Sequence, residues 1–133
     1  MESEDIALLH MVIEQGVSTL SLVFLVIILE RTIMKGDSGE ISFKVRLYVS
    51  KLLSRHFNYN EKVVYETLDQ AYALRSKFIH SHKNSPNKVK EIFDRLYDYA
   101  VKVLRIKAEG KFPDKLKKLI LSSKVENNNL RKF

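Results

Sequence analysis

The residues with the clearest capacity for chemistry are Arg75 and His80, which open and close the run Arg75-Ser76-Lys77-Phe78-Ile79-His80. Arginine keeps its charge at any pH a protein meets, and histidine is the side chain whose unperturbed pKa lies near neutrality. Cleaving RNA without a metal needs both kinds of group. One takes the proton of a 2′-hydroxyl or gives one to the leaving 5′-oxygen, and the other holds the phosphate as its charge grows. Spacing alone does not single out this pair. Seven arginines and four histidines in 133 residues give roughly 0.6 chance matches when three gap lengths are allowed.

Helix geometry adds a second constraint. Five residues of regular helix turn through about 500°, leaving the two side chains about 140° apart. They converge if the helix loosens before His80, as the following Ser81-His82-Lys83-Asn84-Ser85 suggests, or if two chains meet about a two-fold axis. His82 falls nearly in line with Arg75 on a continuing helix and is a rival ligand for the same phosphate.

The elements that must position these residues are helical. Four Gly, two Pro and no Trp, with long stretches of Leu, Ile, Val, Lys and Glu, favour helices over a chain of strands and frequent turns. Residues 5 to 34 read as one long helix or two joined near Gly16, with Glu30 and Arg31 emerging into solvent at the end. Lys35-Gly36-Asp37-Ser38-Gly39 breaks it, and a second helix from Glu40 spaces Ile41, Val45, Tyr48, Val49, Leu52 and Leu53 along one side. Asn58-Tyr59-Asn60 closes that segment, with Asn60 as N-cap of a third helix from Glu61 to Phe78 or His80. Its inner stripe is Val64, Leu68, Ala71, Tyr72 and Phe78 or Ile79.

Ser85-Pro86 has the form of an N-cap followed by proline at the first helical position. The helix it opens carries Val89, Ile92, Phe93, Leu96, Tyr99, Ala100, Val103 and Leu104, and Gly110 stops it. Phe112-Pro113-Asp114 starts a short fifth helix with Leu116, Leu119 and Ile120, and residues 124–133 read as a frayed tail. With short connections and no internal repeat, the expected architecture is all-α: one domain over residues 1–133, an antiparallel four-helix bundle with a short additional C-terminal helix.

Composition narrows the chemistry further. No cysteine is present, which excludes disulfides, thiolate metal sites and a Cys nucleophile. No Gly-rich phosphate loop, EF-hand carboxylate spacing or His-Glu-x-x-His helix occurs, so neither a metal nor another cofactor is expected. The formal charge of +7 favours polyanionic partners through counterion release. The most apolar stretch, Val17 to Leu29, falls short of the roughly 20 residues a membrane span needs. The leader Met1 to Asp5 is acidic where a signal peptide carries positive charge. The expectation is a soluble, cytoplasmic protein without a membrane partner.

The run Ala71-Tyr72-Ala73-Leu74-Arg75-Ser76-Lys77-Phe78-Ile79-His80 resembles the Tyr-x-x-Arg-Ser-x-x-x-His stretch of Apea-like HEPN domains. Glu40 to Arg46, followed by Leu52-Leu53, is similar to the helix preceding it there, and a weaker likeness runs from Ile28-Leu29-Glu30 to the segment at 116–120. The resemblance implies a helical bundle that dimerises, placing Arg-x4-6-His motifs in a cleft between protomers for metal-independent RNA cleavage in toxin, anti-phage and RNA-processing systems. It implies that Arg75 stabilises the phosphate, that His80 transfers protons and that Ser76 fills the polar position after the arginine. Two positions depart from it. Ser81 stands where Apea-like members often have Gly, and His82 stands where toxins paired with minimal nucleotidyltransferases often have Tyr.

Around the pair, Ser76, Lys77, His82 and Lys83 are expected to contact nucleic acid, and Lys88 and Lys90 to extend a basic rim. Tyr72, one turn before Arg75, is the aromatic best placed to stack on a base, although core packing is the commoner role for such a residue. His10 and His56 are expected to be ordinary partly buried or surface histidines. The expected function is a homodimeric HEPN-type endoribonuclease acting on RNA, with an antitoxin or defence-system protein as a possible partner. The alternatives are a non-catalytic HEPN module binding RNA or protein, and a purely structural helical domain.

Overall fold

The computed structural model describes residues 6–10, 18–34, 39–79 and 85–113, and among these there are helices and turns but no strand. Four long helices dominate: α1 (Thr19–Ile33), α2 (Ile41–Phe57), α3 (Glu61–Ile79) and α4 (Pro86–Ala108). Residues 6–10 are also helical.

Local chemistry fixes most of the boundaries. Ser18 is extended, and its hydroxyl accepts from the Ser21 N–H at 3.1 Å, satisfying one of the free amides at the start of α1. Asn60 does the same for α3, its Oδ1 accepting from Val63 N–H at 3.1 Å, so the expected cap is present. Pro86 opens α4 where a missing N–H costs nothing, though Ser85 makes no side-chain cap bond. Asn58 ends α2 in the left-handed region at φ 59°, its N–H donating to the Ser54 carbonyl at 3.0 Å. Gly110 ends α4 at φ +69°, with Lys111 N–H on Ile106 O and Gly110 N–H on Lys107 O, both at 3.0 Å. Those two bonds are the paired carbonyl caps of a Schellman motif.

The helices share one hydrophobic core. Leu22, Leu25, Ile28 and Leu29 of α1 meet Val45, Val49, Leu52 and Leu53 of α2, Val64 and Leu68 of α3, and Ile92, Leu96 and Val103 of α4, all essentially without solvent exposure. Each such Leu or Ile contributes about 1.5–3 kcal/mol by leaving water. All eight inner positions expected in the α4 segment are buried. The buried hydroxyls are satisfied within their own helices: Thr32 donates to Ile28 O at 2.7 Å and Thr67 to Val63 O at 2.8 Å.

Cross-helix pairs give the directions. Lys51 pairs with Glu61 at 2.8 Å and Arg46 with Asp69, so α2 and α3 run antiparallel. Thr67 meets Tyr99 and Gln70 meets Lys88, so α3 and α4 do too. Glu30 meets Tyr72 and Arg75, which sets the C-terminal ends of α1 and α3 side by side.

Three sequence expectations change. Phe78 and Ile79 are 42% and 65% exposed, and Leu74 takes the inner position instead. The register explains this: Arg46 opposite Asp69 puts Ile41, the first residue of α2, level with the middle of the last turns of α3, so Phe78 and Ile79 project beyond α2. Ile41, the first residue of α2, is also exposed, at 39%. Glu30 does not emerge into solvent but is half-buried against α3. The joint near Gly16, the segment 80–84, the fifth helix and the tail lie outside the described residues. No described helix is long and apolar enough to cross a membrane.

Candidate functional site

Arg75 sits on α3 four residues after Ala71 and seven after Leu68, both buried, so helical spacing carries it along the inner stripe of the helix. A cation there needs a counterion. Glu30 supplies it from α1, where it stands one turn beyond buried Val26. Arg75 Nη1 lies 2.9 Å from Glu30 Oε1, both side chains about a quarter exposed.

Tyr72 completes the cluster. Its hydroxyl donates to Glu30 Oε2 at 3.1 Å, and the Arg75 guanidinium carbon lies 4.7 Å from its ring centroid. Both carboxylate oxygens are thus engaged, and the cation rests on the ring face, where the aromatic quadrupole attracts it. Burial, the Glu30 charge and the hydrogen bond to Glu30 push the Tyr72 pKa well above its ordinary value, outweighing the opposing pull of Arg75 and Arg46. Tyr72 therefore remains a protonated donor at any physiological pH, and the three side chains sum to zero charge.

This arrangement alters two expectations. One face of Tyr72 is covered by Arg75 and its hydroxyl is spent on Glu30, so it is not a free stacking platform. Arg75 already holds a carboxylate, so a phosphate at this position must share or displace it. Ser76 and Lys77 are exposed on the last turns of α3, open to a ligand passing over the helix end. α3 stays helical to Ile79, so no loosening precedes that residue. His80, His82 and Lys83 lie outside the described residues. The basic rim is partly committed: Lys88 Nζ lies 3.3 Å from Gln70 Oε1 and Lys90 pairs with Asp94 at 3.0 Å.

The opposite end of the bundle holds a second tyrosine–carboxylate–cation cluster, with Asp and Lys in place of Glu and Arg. Tyr59 donates to Asp98 Oδ2 at 2.6 Å, Asp98 pairs with Lys102, and Lys102 Nζ lies 5.6 Å from the Tyr59 ring centroid. Phe57 and Tyr99 pack on Tyr59 with centroids 6.2 and 6.0 Å away. This fastens the turn between α2 and α3 onto α4. His56, next to it, has its pKa lowered by burial first and then by Lys111 and Arg55, so it favours the neutral form. His10 is exposed. Among the described residues no three His, Asp or Glu side chains converge as metal ligands would.

Sequence reasoning missed Glu30 as a site residue. The signal was present, because Leu22, Val26 and Glu30 recur at four-residue intervals and an acid on that stripe demands a buried-side partner. The described residues thus join Glu30, Tyr72 and Arg75 across two helices, with Ser76 and Lys77 beside them. No family model matches the chain, and no curated protein and no solved structure matches it either.

Proposed function

We propose that the protein is a metal-independent endoribonuclease of HEPN type, acting as a cytoplasmic homodimer in a toxin or anti-phage setting where an antitoxin or defence protein is its partner. The observation that carries this reading is the position of Arg75: a partly exposed guanidinium on α3, beside exposed Ser76 and Lys77, in a sequence run that reaches His80 five residues later. In the proposed reaction the RNA 2′-oxygen attacks the adjacent phosphorus and its proton passes to a base. The bond to the 5′-oxygen breaks, that oxygen gains a proton, and a 2′,3′-cyclic phosphate and a 5′-hydroxyl remain. His80 serves in proton transfer and Arg75 stabilises the charge on the phosphoryl oxygens.

The test is cleavage of a panel of single-stranded RNAs in the presence of a chelator. Wild-type protein is expected to cleave, and His80→Ala and Arg75→Ala to lose about a hundredfold or more in rate. Unchanged cleavage by a folded His80→Ala protein rejects the assignment. A second reading, a non-catalytic HEPN module that binds RNA or another protein, draws support from the Glu30–Arg75 pair, which uses the arginine to join two helices. RNA that stays intact at low salt, yet binds with an affinity falling steeply as salt rises, would favour it.

A further inference from the structure

Glu30 contacts Arg75 through Nη1, leaving the Nε–Nη2 edge of the guanidinium unengaged by it. That edge is a two-donor fork matching two oxygens of a phosphodiester. Guanidiniums on flexible stems rotate freely unless something holds them, and here three contacts restrict rotation. Glu30 fixes Nη1, the Tyr72 ring lies under the guanidinium carbon at 4.7 Å, and the Tyr72 hydroxyl holds the second oxygen of Glu30 and restrains the carboxylate from turning away.

We propose that Glu30 is a positioning residue that acts through Arg75, fixing from α1 which edge of the guanidinium meets a phosphodiester of single-stranded RNA. The inference rests on the endoribonuclease reading of Arg75 and adds to it a residue 45 positions away in sequence. Glu30 also opposes the incoming phosphate by charge. Orientation and binding therefore part company when it is neutralised: an anion binds no worse, and the bound phosphate is held less well for reaction.

The decisive variant is Glu30→Gln, which keeps the volume and removes the charge. Its kcat on single-stranded RNA is expected to fall about tenfold, since small misplacements of a reacting group cost that much or more. Its KM is expected to stay level or fall, and Glu30→Asp to recover part of the loss in kcat. Rates are normalised to folded protein by thermal unfolding, with Tyr59→Phe at the far end of the bundle as the control for stability alone. An unchanged kcat in Glu30→Gln overturns the proposal, as does a loss equal to that of Tyr59→Phe at equal loss of stability. If wild-type protein cleaves no RNA, the proposed function fails separately, and nitrogen-15 spectra decide the positioning claim. Separate Arg75 Nη signals in wild type that merge in Glu30→Gln support a held guanidinium. Separate signals that persist in the variant overturn it.

Discussion

The two ends of the bundle carry the same three parts in different frames. At one end a tyrosine hydroxyl donates to Glu30, Glu30 pairs with Arg75, and Arg75 lies over the tyrosine. At the other, Tyr59 donates to Asp98, Asp98 pairs with Lys102, and Lys102 lies over Tyr59. Asp98 and Lys102 are one turn apart on α4, so their pair exists wherever that helix exists. Glu30 and Arg75 come from different helices and meet only when α1 and α3 are docked. The cations differ as well. An ammonium is a compact point charge, whereas a planar guanidinium bound through one nitrogen keeps a second edge for another anion. A tyrosine–carboxylate–cation cluster is therefore ordinary packing when its charges are local and the cation is lysine. It becomes a candidate anion site when arginine is held from across a helix interface.

Breaking the two clusters should separate them by size of effect. The largest is expected for Glu30→Ala, which strands the half-buried Arg75 and leaves Tyr72 without its acceptor. We expect a loss of about 2 kcal/mol by urea unfolding, against about 1 kcal/mol or less for Asp98→Ala, whose Lys102 partner can turn to water. Equal losses would remove the distinction. A double-mutant cycle sharpens it: coupling of about 1 kcal/mol or more between Glu30 and Arg75, and about 0.3–0.5 kcal/mol between Asp98 and Lys102, the usual value for pairs one helical turn apart. Tyr72→Phe and Tyr59→Phe should each cost about 1 kcal/mol, because each leaves a carboxylate short of one donor.

The smallest effect is expected at His56. Its folded pKa lies below the ordinary 6.5, so the fold favours the neutral imidazole. That contribution is present above pH 6.5 and is lost as pH falls through the folded value. A slight fall in melting temperature between pH 7 and 5 should shrink in His56→Gln, while no matching dependence should attach to Tyr72. The Tyr72 hydroxyl has its folded pKa raised, so its contribution persists below pH 10 and is lost only as pH climbs through the higher folded value.

Much of the fold was legible because helix periodicity and caps are local. The α4 stripe from Val89 to Leu104, the Asn60 cap and the Gly110 stop need only neighbouring residues to specify them. The misplaced residues are those governed by register between helices. Phe78 and Ile79 carry the hydrophobic pattern onward, yet α2 begins too late along the bundle to cover them. The candidate site was half legible for the same reason. Arg75 was visible through its neighbours in sequence, whereas Glu30 was judged by its place at a helix end rather than by its place on the stripe with Leu22 and Val26. Two opposite charges on two inner stripes are a statement that the stripes face each other, and only the pair together carries it.

The 45-residue separation of Glu30 and Arg75 also has a meaning in time. A contact that closes so long a loop carries a loop-closure cost that a local pair does not, while the Asp98–Lys102 pair is available as soon as α4 winds. Substitutions at Glu30 should therefore speed unfolding and leave the refolding rate nearly untouched. The Glu30–Arg75 clasp therefore waits on the docking of α1 against α3, whereas the cation–carboxylate pair at the far end forms within a single helix.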